Sequence, residues 1–423
     1  LPKRLWEINL KKRNIIKAAD LSRFFSRMDK LMTQNNKSLT PQTAIPALYM
    51  RGGTSKGVFF KLTDLPTSCQ VAGCDRDNLL LRVIGSPDPY GKQIDGLGNG
   101  SSSTSKAVIL SKSELPDHDV NYLFAQVNIT KPMIDWSGNC GNLSAAVGAA
   151  AIHLGLVANV PENGICSVRI WQENIGKTII AHVPIENGCV QESGDFYLDG
   201  VAFPAAEIKV DFIDPVDGAM FPTGNVVDDF FVPNIGQFKA TFINAGIPTV
   251  FLNAKDLGFT GTELQSDINS DPELLDKLET IRANAGVAMG LFSSLDDAKV
   301  RLHTPKLAWV APPTDYTASS GAKVLAADID LLVRAMSMGQ LHHAMMGTAA
   351  VAIAAAAAVK GTLVNIAAGG KDLAQVRFGH PSGTLLVGAS VNSSDGGWQA
   401  DRVTMSRSAR RIMAGQVFVP QSY

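Results

Sequence analysis

The sequence predicts an α/β protein of the α+β kind, built as two similar halves in which short strands wrap a buried helix. Three observations lead there. The stretch Cys140-Gly141-Asn142 opens an apolar, alanine-rich run to Ile152, and Met346-Gly347-Thr348 opens a second such run to Ala357. A small-residue turn between apolar segments precedes each run, Arg51 to Gly57 before the first and Asn244 to Thr249 before the second. The spacings from Gly53 to Cys140 and from Gly246 to Met346 are similar, 87 and 100 residues. Elsewhere, strand-like segments are separated by Pro and Gly rather than alternating with helices as βαβ units. Two copies of one domain explain these echoes most economically.

Taken in order, residues Leu1 to Leu31 are basic and amphipathic, with apolar residues at helical spacing, and Thr33 to Thr43 is polar and linker-like. Residues 1–43 are expected to be a leader and linker outside the fold. Residues 44–220 form the first half and 221–423 the second, the junction falling within 204–236. In the first half, strands are expected at Ala47 to Met50, Val58 to Phe60 and Ala107 to Leu110, with a helix from Asp77 to Ile84. Further strands follow at Tyr122 to Val127, Ser167 to Trp171, Thr178 to Val183 and Phe196 to Val201, around a helix from Leu143 to Leu154. The second half repeats this with strands at Gln237 to Phe242, Val250 to Leu252 and Leu307 to Ala311. Helices are expected at Pro272 to Met289, Asp328 to Met336 and along the alanine run, with closing strands near Gln375 to Phe378, Thr384 to Ala389 and Arg402 to Met405.

Composition narrows function. A hydrophobic content of 45% with 18% charged residues in 423 residues is that of a globular chain with a large core. A formal charge of −1 favours neither nucleic acid nor anionic membranes, while a few local cations suffice for a small anion. No run of about 20 apolar residues marks a membrane span. The five cysteines, Cys69, Cys74, Cys140, Cys166 and Cys189, contain no CxxC pair and are odd in number, which fits a reducing cytoplasm better than a disulfide framework. Cys69 and Cys74 lack a second ligand pair for a metal.

Cys140 is the leading chemical candidate. A thiol where a glycine-rich turn enters an apolar helix sits in the field of unpaired N–H groups, which favours the thiolate and offers an anion site. The plainer alternative is a small buried capping residue. Arg51-Gly52-Gly53-Thr54 reads equally as a ligand-approaching turn or a hairpin with an exposed arginine. Lys106, where a Gly/Ser loop enters an apolar strand, reads as an exposed lysine or a pocket residue. Arg402, Arg407, Arg410 and Arg411 read as exposed terminal arginines or as carboxylate ligands.

The motifs RGGTSK (Arg51 to Lys56), GSPDPY (Gly85 to Tyr90), SSTSK (Ser102 to Lys106), DWSGNCGN (Asp135 to Asn142), HHAMMGT (His342 to Thr348) and GHPSG (Gly379 to Gly383) together resemble the PrpF family of 2-methylaconitate cis-trans isomerases, over about Ala44 to Val419. The resemblance implies the diaminopimelate-epimerase-like fold, two pseudo-symmetric halves, each a curled mixed sheet around a central helix, with the active site in the cleft between them. In the epimerases each half supplies a cysteine; here Met346 replaces the second, so a two-thiol mechanism is not expected. The resemblance instead implies Lys106 and Cys140 as the functional pair, with no metal or organic cofactor. Backbone N–H groups around Gly141, Asn142, Gly347, Thr348, Ser382 and Gly383 are candidates for holding carboxylates, beside Arg51, Gly53, Thr54, Ser103 and Met346.

The implied activity converts trans-2-methylaconitate to cis-2-methylaconitate by proton abstraction and return, in the methylcitrate route of propionate breakdown. Its implied partners are a small tricarboxylate and, functionally, an aconitase-like methylcitrate dehydratase, without nucleic acid or membrane; a homodimer stands as an open alternative. Aconitate is a further substrate that the same reading allows, and the alternative is a tautomerase or double-bond isomerase of another unsaturated polycarboxylate such as oxalomesaconate or methylitaconate. Two rival classes are a cysteine hydrolase pairing Cys140 with His342, His343 or His380 and a non-catalytic partner of the dehydratase, the latter disfavoured because a scaffold needs neither Lys106 nor Cys140.

Overall fold

The computed structural model describes residues 42–394 and 397–420; the amphipathic helix read over the first 31 residues lies outside them. Ala44–Val417 forms one compact unit, in which a single chain path is run twice. In the first pass, β1 (Gln42–Gly52) and β2 (Ser55–Lys61) make an antiparallel hairpin with Gly52 opposite Ser55. After α1 (Cys74–Ile84) the chain returns as β3 (Lys106–Lys112), parallel to β2, and reverses into β4 (Val120–Val127), which sets Lys106 opposite Gln126. It then dives through α2 (Gly141–His153) and re-emerges as β5 (Gly164–Gln172), parallel to β4, followed by the antiparallel β6 (Lys177–Glu186) and β7 (Glu207–Ile213).

The second pass repeats each step. After β8 (Asp228–Val232) come the hairpin β9 (Gly236–Ala245) and β10 (Ile247–Asn253), the helix α3 (Pro272–Ala288) and β11 (Lys306–Ala311), which is parallel to β10 with Thr249 opposite Lys306. The strand β12 (Leu331–Ser337) is antiparallel to β11. The helix α4 (Gly347–Ala357) then leads to β13 (Gln375–His380), parallel to β12, and to the antiparallel β14 (Gly383–Ser394) and β15 (Gly397–Pro420). The last strand pairs with β14 on one edge and with β7 on the other, Thr404 facing Asp211, and so joins the two passes into one sheet system.

Both central helices carry small or apolar residues on nearly every face, the pattern of a helix enclosed by other structure rather than lying on a surface. From Gly141 to Ala151 and from Gly347 to Ala357 every residue is buried. Alanine and glycine keep the helices thin enough for strands to curl around them: a Cβ on Gly148 would lie 2.8 Å from the Val183 side chain and 2.9 Å from that of Ala181. The helix α2 packs on β2, β5, β6 and β7, and α4 packs on β9, β10, β13 and β14, while the two helices also touch each other.

Two expectations from the sequence are corrected. The segment read as a helix from Asp328 to Met336 is mostly the strand β12, with only Ala326–Asp328 forming a 3-10 turn; its residues are buried on both faces, so the run carries no period-2 signal. The segment Phe196 to Val201 forms no strand, only a bridge from Phe196 to Ala205, because the chain turns at Gly200 with φ +89°.

Candidate active site

The hairpin turns are what seat the two helices. Gly52 and Gly53 lie against the first turn of α2: a Cβ on Gly52 would come within 2.8 Å of the Asn142 carbonyl oxygen, and one on Gly53, whose φ is +52°, within 2.5 Å of the Asn142 side-chain oxygen. In the second pass Gly246, φ +70°, lies against the first turn of α4, where a Cβ would come within 2.9 Å of the Thr348 carbonyl oxygen. The helices then meet head to head. A Cβ on Gly141 would be 2.6 Å from the carbonyl carbon of Gly347, and one on Gly347 would be 2.4 Å from that of Gly141. Helical hydrogen bonding starts at Ser144 N to Cys140 O and Ala350 N to Met346 O, both 2.9 Å, which leaves earlier N–H groups of both helices outside the ladder. Two positive helix ends in contact repel one another and favour an anion between them.

Cys140 caps α2. Its sulfur accepts the Leu143 N–H at 3.5 Å and lies 3.9 Å from the Ser55 hydroxyl. The equivalent cap of α4 is Met346, whose side chain caps nothing. Lys106, read as exposed or pocket-lining, is buried, only 5% exposed, and donates to Gln126 Oε1 at 2.5 Å with its ammonium 5.2 Å from the Phe124 ring centre. Desolvation pulls its pKa below the ordinary lysine value, and the charge of Cys140 opposes that shift.

Around this pair the structure gathers Lys306 and His303, which sequence reasoning missed, together with Asp135, Asn139 and Arg407. Lys306, 1% exposed, lies 3.4 Å from Nδ1 of His303 and is pushed down to about 7 by burial and by Lys106, against the opposing pull of Asp135 and Cys140. His303 is anchored by Asp135 Oδ2, which accepts its backbone N–H at 3.1 Å, and its Nε2 donates to the Asn139 carbonyl at 3.2 Å. Burial and the two lysines hold this imidazole well below the ordinary histidine pKa. The Asn139 side chain is 2% exposed with neither amide atom hydrogen-bonded. The four C-terminal arginines divide: Arg402, Arg410 and Arg411 are exposed, whereas Arg407 is buried, has an unpartnered Nε and feels the charge of Cys140. Burial lowers its pKa to about 10, which still leaves it a cation at neutral pH.

A cavity of about 680 Å³ opens in front of Cys140 and His342, its wall including Arg51, Thr54, Ser55, Ser103, His343 and Arg410, while Lys306 borders a separate small cleft with Glu279 and Arg282. Ser55 touches Cys140, and Ser103 Oγ meets His342 Nε2 at 3.1 Å and His343 Nδ1 at 3.4 Å, so the thiol and His342 lie directly behind the cavity floor. Arg51 donates to the carbonyls of Gly53 and Ser408, both at 3.0 Å.

The remaining candidates divide. The Gly53 N–H donates to Ser408 O at 2.9 Å, so this glycine shapes the turn instead of offering a free donor. Asn142 ties the halves together, its amide donating to Thr54 Oγ1 and to Met345 O, both at 3.1 Å, and its Oδ1 has no partner. Ser382 donates to the His343 carbonyl at 2.5 Å, yet Ser382 and Gly383 line a different cavity, of about 440 Å³, with Asp199, Lys323 and Arg377.

No imidazole hydrogen-bonds Cys140 among the described residues. His342 is occupied by Ser103 and by the Ala344 N–H, and His380 accepts the Ser382 N–H. A nucleophile–base pair of the hydrolase kind is therefore not assembled.

Residues 42–420 match the model of the PrpF protein family. The chain belongs to the PrpF family. The 2-methyl-aconitate isomerase of Shewanella oneidensis is 64% identical over 395 residues, covering 92% of this chain and 100% of the relative, and that of Cupriavidus necator is 64% identical over 388 residues, covering 90% and 98%. A crystal structure of a methylitaconate-delta-isomerase superposes with a TM-score of 0.71 at 39% identity, over 90% of this chain and 97% of the other. The fold of this PrpF protein is diaminopimelate-epimerase-like, as its sequence predicts.

Proposed function

We propose that this protein is a cofactor-independent isomerase that interconverts trans- and cis-2-methylaconitate by moving a proton. The observation that carries the reading is 64% identity along the full length of a 2-methyl-aconitate isomerase. The site's chemistry agrees with it. A tricarboxylate needs concentrated positive charge, and the abutting helix ends, Lys106, Arg407 and Arg51 supply it in a region where burial strengthens each interaction.

In this mechanism a base takes a proton from the substrate methylene, the C–H electron pair spreads through the alkene to the conjugated carboxylate, and the former double bond becomes free to rotate. Return of the proton to the same carbon gives the other geometric isomer. Only one face of the carbon is needed, so Met346 is no obstacle. Lys106 and Cys140 carry the proton: burial makes the amine a stronger competitor for neutrality, and the thiol sits at a helix N-terminus. A Cys140 thiolate is steadied by a protonated Lys106, and a neutral Lys106 amine can itself take the substrate proton.

The substrate in life is proposed to come from an aconitase-like dehydratase of the methylcitrate route. The odd number of cysteines, with no CxxC pair among them, supports a reducing compartment such as the cytoplasm, and among the described residues no helix is long and apolar enough to cross a membrane. Comparing kcat/KM for 2-methylaconitate, aconitate, 3-methylitaconate and oxalomesaconate tests the substrate assignment: the first is expected to exceed the last two by at least tenfold, and the reverse order would overturn it.

A further inference from the structure

The two chain passes place a lysine at the same point twice. Lys106 opens β3, the strand parallel to the second arm of the hairpin whose turn seats α2. Lys306 opens β11, the strand parallel to the second arm of the hairpin whose turn seats α4. Both amines are buried, and each lies within electrostatic reach of Cys140. Cys140 and His342, the residues directly behind the cavity floor, both feel Lys306. His303 shows how the amine is aimed: its Nε2–H is committed to the Asn139 carbonyl, so its Nδ1 is a lone-pair acceptor that holds Lys306 Nζ at 3.4 Å. The side-chain amide of the same Asn139 has neither of its polar atoms bonded although the residue is buried, which points to a ligand that completes it.

We propose that Lys306 is a further catalytic residue of this site: as an ammonium it contacts the substrate carboxylate that collects the charge, opposite the proton-moving pair Lys106 and Cys140. This rests on the isomerase reading above. The fold's two-sidedness survives in the amines after being lost in the thiols, since Met346 has no proton to give while Lys306 matches Lys106. The step balances within the substrate: the C–H bond breaks, an N–H or S–H bond forms on the first-half pair, and the electron pair moves to a carboxylate oxygen that Lys306 holds without changing its own bonding. An interaction that strengthens as charge develops lowers the barrier more than it tightens binding.

The test uses Lys306→Met, Lys306→Arg and Lys306→Ala in the full chain. Removing a buried amine for an apolar side chain of similar shape should leave the thermal midpoint equal or higher. On trans-2-methylaconitate, Lys306→Met is expected to lose at least a hundredfold in kcat with less than a tenfold change in KM, Lys306→Arg to recover part of that loss, and added methylammonium to restore activity to Lys306→Ala. A Lys306→Met enzyme within threefold of wild type in kcat, or a loss that neither arginine nor methylammonium relieves, would overturn the proposal. A second arm needs no turnover: by calorimetry, propane-1,2,3-tricarboxylate should bind Lys306→Met at least threefold more weakly, and unchanged affinity contradicts the contact. Wild type that binds this acid but leaves 2-methylaconitate untouched defeats the substrate assignment alone, and the binding arm still decides the role of Lys306.

Discussion

Gly141 and Gly347, each the first residue of its central helix, touch backbone to backbone, so close that a Cβ on either would fall 2.6 or 2.4 Å from the other's carbonyl carbon. That contact fixes the distance between the two helix ends on which the anion site depends. Gly347→Ala should force the ends apart, because backbone cannot move aside as a flexible side chain does. The expected cost is ~1–3 kcal/mol of stability, as for other overpacking changes, and a rise in KM of tenfold or more. Denaturant melts and steady-state kinetics on the same preparation check both.

Cys140→Ala should separate chemistry from folding. It removes a sulfur that accepts one N–H at 3.5 Å, a weak cap, so the loss of stability should be at most ~1 kcal/mol. If the thiol carries the proton, kcat should fall by a factor of ~10²–10⁴, the usual worth of a positioned acid–base group. Circular dichroism and kcat together test this; a stable variant with near-normal kcat would remove Cys140 from the mechanism.

The coupling between Gly53 and Asn142 is also measurable. Gly53→Ala meets two penalties: a left-handed backbone, which costs ~1–2 kcal/mol for a residue with a Cβ, and a clash 2.5 Å from Asn142 Oδ1. In an Asn142→Gly background the clash disappears and only the backbone penalty remains. A double-mutant cycle should therefore show Gly53→Ala costing less in the second background, by an interaction of ~0.5–3 kcal/mol. Strict additivity would contradict the close approach.

Lys306 gives stability a pH dependence of definite sign. In the folded protein its amine sits at about 7; in the unfolded chain it titrates near ~10.4. Between those values the unfolded state binds the extra proton, so the Lys306 contribution makes stability rise with pH through this window, by up to ~1.4 kcal/mol per unit. Below about 7 both states are protonated and that slope vanishes. The groups that face it, Lys106, Asp135, Arg282, Cys140 and His303, are common to both proteins. Unfolding free energies of wild type minus Lys306→Met, measured from pH 6 to 10, should climb with pH; a flat or falling difference would refute the burial argument.

How far the sequence reveals this site depends on what each residue leaves in its neighbourhood. The helix starts at Gly141 and Gly347 were legible because glycine and small residues before an alanine run have few other uses, and the hairpin echo was legible because Gly53 and Gly246 need positive φ. The strand β12 was not, since Leu331 to Ser337 is buried on both faces and a continuous apolar run suits helix and strand alike. Lys306 was missed because one lysine before an apolar strand looks like a solvated strand end. Its signal was relational: Lys106 precedes Cys140 by 34 residues and Lys306 precedes Met346 by 40, so carrying the internal repeat through to the lysines would have found it. Arg407 hid among three exposed arginines, because burial of one residue in a charged strand depends on what pairs with it, here β7.

The most direct test of the central claim is proton NMR of trans-2-methylaconitate with the purified protein in deuterium oxide, beside Lys106→Ala and Cys140→Ala. The account predicts that the cis isomer appears with solvent deuterium on the methylene carbon and that both variants lose the conversion while remaining folded. No conversion by the folded wild type, or full activity in both variants, would contradict proton transfer by this pair.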